Sequence, residues 1–188
     1  MSTPGGKLIS ITSKIAQSLL AFYFLHEDES LYVNELVRRL ELDKRNLVKK
    51  LTEFEREGIF KSEIIGNQKY YSLNKKYPLY KEYKRIVLKT IGIEKQLKTA
   101  LSDIKGIKRA FVYGSYAEDR MDAFSDIDII VIGNHSTVLL HKKIAQLQKL
   151  TDREINVISI SQEEFDAKVE NEDPFITGIL GKKRIEII

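Results

Sequence analysis

"AFVYGSYAEDRMDAFSDIDIIVIG", residues 110–133, is the stretch whose reading decides the fold. An apolar run ends on Gly114-Ser115, and a second apolar run carries Asp126 and Asp128 one residue apart. On an extended strand, residues i and i+2 share a face, so the two aspartates point one way while Ile127 and Ile129 point into a core. Carboxylates that close together repel and raise each other's pKa unless a positive charge sits between them. A divalent cation is the simplest resident. Oxygen ligands without cysteine or suitably spaced histidine select Mg²⁺ or Mn²⁺ over Zn²⁺. Gly114-Ser115, at a strand-to-helix turn, offers a phosphate close backbone approach, amide donors and a hydroxyl. Phosphate cradle and metal pair therefore belong to one site.

Working outward, the 188-residue chain is 43% hydrophobic and 31% charged, the balance of a soluble globular protein with one large domain or two small ones. It has no cysteine, which excludes a disulfide framework and thiolate metal sites. Its longest apolar runs fall far short of the roughly 20 residues that span a bilayer, and residues 1–14 lack the apolar core of a signal peptide. The expected address is the cytoplasm, with no membrane contact. Net charge is +4 but uneven: residues 1–89 carry 17 Lys+Arg against 11 Asp+Glu, and the remainder 14 against 16. A basic front half suits a polyanionic partner.

That front half has helical periods. Apolar residues recur at helical spacing over residues 11–25, a second helix follows from Val33 or Asn34 to Leu40, and a third runs over 44–57 between Asp43 as N-cap and Gly58 as stop. On the third helix Leu47, Leu51 and Phe54 share one side, while Lys44, Arg45, Lys49 and Thr52 share another. One side calls for a core, the other for phosphates. Residues 59–73 alternate like two strands around Gly66-Asn67. Three helices and a hairpin are the plan of a winged helix-turn-helix over residues 1–77, whose third helix enters the major groove of double-stranded DNA. Lys44, Arg45, Lys49 and Thr52 on that helix, with Asn67, Gln68 and Lys69 at the wing tip, are the expected DNA contacts. Residues 78–104 predict a helical connector, interrupted near Gly92, whose amphipathic face is a place for two copies to pair as a homodimer.

From Lys108 onward strands and helices alternate: a strand to Gly114, a helix start, a strand over 125–133, and a helix over 138–150. In that last helix Leu139, Leu140, Ile144, Leu147 and Leu150 are available for burial. A third strand, a helix over 162–169, a further helix and a terminal strand complete an α/β domain over residues 105–188. The whole chain reads as α+β.

The stretch from Tyr113 to Gly133 resembles the signature of the DNA polymerase β-like nucleotidyltransferase superfamily. In that signature an apolar strand leads to Gly-Ser, about ten residues intervene, and Asp-x-Asp follows on an apolar strand; here ten residues separate Ser115 from Asp126. "REINVISISQEEF", the ending "DPFITGILGKKRIEII" and the winged-helix half resemble archaeal chains that fuse such a domain to a winged helix. The resemblance implies a mixed sheet and a two-metal nucleotidyl transfer. Gly114, Ser115 and Arg120 would hold an NTP, ATP being the expected one. Asp126 and Asp128 would bind Mg²⁺ or Mn²⁺, and a third carboxylate would complete the second metal site and activate the acceptor. Glu154 is the expected third acid, with Asp152 its rival. The acceptor would be a protein, a nucleic acid or a small molecule. The alternative is a transcription regulator that senses nucleotide without turnover; an antitoxin-like role follows by analogy alone. The chain departs from the family in Ala117-Glu118-Asp119-Arg120, where relatives commonly carry Ala-Arg-Gly.

Overall fold

Ser13 opens the first helix, α1 (Lys14–Leu25), by accepting a hydrogen bond from the Ala16 amide at 3.2 Å. In this computed structural model, which describes residues 9–122 and 125–188, the chain falls into two compact units, residues 1–93 and 94–188. The first continues with β1 (Leu31–Tyr32), α2 (Val33–Leu40), α3 (Lys44–Glu57), β2 (Phe60–Ile65), β3 (Gln68–Leu73) and α4 (Tyr80–Thr90). Its strands form an antiparallel sheet of order β1-β3-β2.

Asp43 caps α3 by accepting the Asn46 amide at 2.9 Å, and Gly58 ends it at φ +88, a left-handed value that favours glycine. Leu47, Leu51 and Phe54 are completely buried, as the helical wheel requires. They meet the aromatic side of α1 and β2: Phe60 stacks on Phe54 at 5.6 Å and meets Tyr23 edge-on at 4.8 Å. Tyr23 keeps its hydroxyl satisfied by donating to the Tyr71 carbonyl at 2.8 Å. Helix α4 packs on α1, and the Tyr83 hydroxyl accepts the Ile9 amide at 2.6 Å.

The second unit begins with α5 (Ile93–Ser102), so the helical stretch expected over 83–104 is two helices parted at Gly92. Then come β4 (Ile107–Tyr113), α6 (Gly114–Ala117), β5 (Ile127–Gly133), α7 (Thr137–Thr151), β6 (Ile155–Ile160), α8 (Gln162–Glu170), α9 (Pro174–Leu180) and β7 (Ile185–Glu186). The sheet has the order β6-β5-β4-β7 and is mixed: β5 runs parallel to β6, while β4 is antiparallel to both β5 and β7. One face carries Phe111, Ile130, Ile132 and Ile160, which form a cluster with Phe165 of α8 and Ile176 and Ile179 of α9. Ile127, Ile129 and Val131 alternate to the opposite face and are also buried.

One local expectation is corrected. Helix α7 buries only the stripe Leu140, Ile144, Leu147 and Thr151, whereas Leu139 and Leu150 flank it and stay exposed, at 37% and 76%. The helix after Gly114-Ser115 is a single turn, because Asp119 adopts a left-handed φ of +58 and stops it. Among the described residues, no helix is long and apolar enough to cross a membrane.

Candidate active site

Strand register assembles this site. Asp128 pairs with Tyr113 of β4 on one side and with Asn156 of β6 on the other, so the three side chains form one row on the α8–α9 face. Asp126 lies two residues ahead, immediately before β5, and both carboxylates turn to the same neighbour. The Asn156 amide donates to Asp126 Oδ2 at 3.2 Å and to Asp128 Oδ1 at 3.4 Å. The paired acids read from the sequence thus converge.

Gly114 begins the turn at the end of β4, with φ +72. A Cβ built there would lie 2.6 Å from Asp128 Oδ2, so glycine is required twice: by the backbone conformation and by the carboxylate against it. The half-buried Ser115 follows, with its carbonyl accepting the Arg120 amide at 2.9 Å. The Gly114 turn and the Asp128 carboxylate thus lie against each other across β4 and β5. Burial first, and then the Asp128 charge, push the Tyr113 hydroxyl above its ordinary pKa, which places that phenol in the field of the acid pair. Tyr116 is buried, with its hydroxyl on Glu94 at 3.3 Å, and therefore packs inside the unit.

The remaining expected residues lie apart from this row. Arg120 is exposed and its guanidinium pairs with Glu118. Glu154 stands exposed just before β6, its backbone carbonyl accepting the Ile127 amide at 3.0 Å. Asp152, at φ +51, ends α7. Among the described residues, no group of three His, Cys, Asp or Glu side chains is placed to hold a metal ion. The oxygen donors that do converge, the two carboxylates, suit one hard divalent cation. The residue in register with Asp128 is thus a neutral amide.

Arg153 was missed by sequence reading. It is 9% exposed, and its Nη1 donates to the carbonyls of Asp122 and Ser125, both at 3.1 Å. It thereby fastens the segment that delivers Asp126. A buried arginine beside a strand start is its only sequence signal.

In the first unit Lys44, Arg45, Lys49 and Thr52 are exposed along α3, and Asn67, Gln68 and Lys69 are exposed at the β2–β3 turn. Lys69 is tied back to Glu55 of α3 at 2.7 Å, and Glu55 also accepts the Ser62 hydroxyl at 2.5 Å.

Residues 94–184 match the family described as nucleotidyltransferase domain. That match covers nearly all of the second unit, residues 94–188. No curated protein matches it. Among solved structures it is similar to a toxin–antitoxin crystallised with AMP-PNP (TM-score 0.38, 15% identity, 50% of this chain and 72% of that one). It is also similar to a mutant of the toxin–antitoxin MntA-HpeT (TM-score 0.37, 13% identity, 51% and 72%). A third is a candidate nucleotidyltransferase from Sulfolobus solfataricus (TM-score 0.29, 15% identity, 39% and 68%).

Proposed function

We propose that the chain transfers a nucleoside monophosphate from an NTP, ATP in the first instance, to a hydroxyl or amine of an acceptor, and that its first unit is a winged helix-turn-helix that binds double-stranded DNA as a homodimer. The observation that carries the enzymatic part is the contact between cradle and acids: Gly114 at φ +72 directly against the Asp128 carboxylate. Asp126 and Asp128 would hold Mg²⁺ or Mn²⁺, which supplies neutralisation of the triphosphate charge. The Gly114-Ser115 turn would receive the distal phosphates through its backbone and hydroxyl. The acceptor oxygen or nitrogen bonds to the α-phosphorus, the bond from that phosphorus to the bridging oxygen breaks, and pyrophosphate leaves with the electron pair. The acceptor's proton passes to solvent or to a nearby base, Glu154 being the acid closest in sequence to the row. Calorimetry with MgATP tests this reading. The wild type should bind at least tenfold more tightly than Asp126→Ala/Asp128→Ala; equal binding would end it.

Asn156 favours a second reading, a nucleotide sensor without turnover. Ground-state binding needs the acid pair and cradle, whereas activating an acceptor requires more, and a neutral amide stands where a third acid would face the pair. Incubation with labelled ATP and cell extract separates the two. A labelled product supports the enzyme; binding without product supports the sensor. Asn156→Asp should raise turnover only if the sensor reading holds.

For the first unit, the element order helix, helix, helix, hairpin and the exposed face of Lys44, Arg45 and Lys49 support DNA binding.

A further inference from the structure

A cleft of about 270 Å³ opens beside the acid row, lined by Ile158, Ile160, Glu164, Lys168, Phe175 and Ile176. Its position follows from strand geometry. Ile158 is two residues beyond Asn156 on the same face of β6, about 7 Å along the strand. Phe175 connects row and cleft: its ring meets Tyr113 edge-on at 6.0 Å, and Tyr113 is the register partner of Asp128. Phe175 opens α9, and although its neighbour Ile176 is 2% exposed, Phe175 itself is 45% exposed. An uncovered aromatic face on the wall of an apolar cleft is a stacking surface.

We propose that this cleft receives the nucleobase of the donor nucleotide, stacked on Phe175 and Ile158. The inference rests on the nucleotide reading above. Gly114-Ser115 lies at the β4 end of the row and Asp128 at its centre, so a triphosphate anchored there leaves its nucleoside to be covered, and the cleft is the adjoining apolar space. Its size admits one ring system and is below that of a typical drug-sized site. The rim supplies the edge chemistry. The Glu164 carboxylate accepts, and Lys168 donates, from a position 3.9 Å from Glu164 and 3.6 Å from Asp173. The edge of a nucleobase carries donors beside acceptors, which suits that pair.

The test uses the full chain with two probes: MgATP and magnesium tripolyphosphate, the latter having no base. Calorimetry should show ATP binding at least tenfold more tightly than tripolyphosphate. Phe175→Ala, which empties the wall, and Ile158→Trp, which fills the cleft, should each weaken ATP about tenfold and leave tripolyphosphate unchanged. Phe175→Tyr should retain ATP binding. Unchanged ATP binding in both Phe175→Ala and Ile158→Trp overturns the base site while leaving the nucleotide reading intact. So does an equal loss of ATP and tripolyphosphate, which would mean that Phe175 only positions the acid row. A wild type that binds neither ATP nor tripolyphosphate removes the nucleotide reading and this one together.

Discussion

Gly114 has no room for a side chain, and that single restriction joins backbone conformation to chemistry. An alanine there would meet a left-handed penalty of about 1–2 kcal/mol and would also push Asp128 Oδ2 from its place. Gly114→Ala should therefore lower the stability of the second unit by that order in thermal denaturation and weaken MgATP by tenfold or more in calorimetry. Retention of full nucleotide affinity would show that the acid pair does not depend on the turn. The motif residues were legible from sequence because Gly-Ser and Asp-x-Asp are local patterns whose faces follow from strand alternation. Asn156 was not legible in the same way. Whether Glu154 or Asn156 faces Asp128 depends on the parallel register of β5 and β6, set by residues 28 apart in the chain: the two share a strand face, and a two-residue shift would exchange them. Arg153 was invisible for the same reason, since its partners are the distant carbonyls of Asp122 and Ser125.

At the scale of elements, α3 and the β2–β3 hairpin are held together by a charged tether as well as by the Phe54–Phe60 stack. Hydrogen bonds from Lys69 first, and then from Ser62, hold the Glu55 carboxyl below its ordinary pKa of 4.5. A depressed folded-state value means that the tether contributes stability above the unfolded carboxyl's pKa and loses it as the pH falls through the lower folded value. Glu55→Gln should cost at most about 1 kcal/mol at neutral pH, the range of exposed ion pairs. The difference from wild type should shrink below about pH 4.5, as followed by urea denaturation across pH. A difference that grows on acidification would contradict the tether. Helix α3 was readable in advance because cap, stop and buried stripe are local signals. The exposed Leu139 and Leu150 of α7 were not, since a helical wheel marks apolar residues without showing how wide a stripe the sheet will accept.

For the whole molecule, the DNA proposal makes a quantitative claim about salt. Each phosphate neutralised by Lys or Arg releases condensed counterions, so affinity falls with a logarithmic slope near −0.9 per contact. A small winged helix makes few contacts, so useful affinity calls for two copies on a two-fold site. Lys44→Ala/Arg45→Ala/Lys49→Ala changes exposed positions and spares Leu47, Leu51 and Phe54, so folding should be unchanged. Fluorescence anisotropy with a duplex should show micromolar or tighter binding at low salt and at least a tenfold loss in the triple variant, with a dimer in sedimentation. A monomer whose binding ignores both salt and those lysines and arginine would refute the proposal. The division between the units also coincides with the division of charge. Residues 90–93 carry no ionic side chain, so the segment up to Ile93 keeps its 17 basic against 11 acidic residues and the segment from Glu94 its 14 against 16. In electrophoresis at pH 7, fragments severed between Thr90 and Ile93 would travel to opposite electrodes, the first to the cathode and the second to the anode. On the proposed reading an anionic nucleotide would reach the anodic half with a divalent cation, so a chelator should extinguish that half's binding and spare the other's.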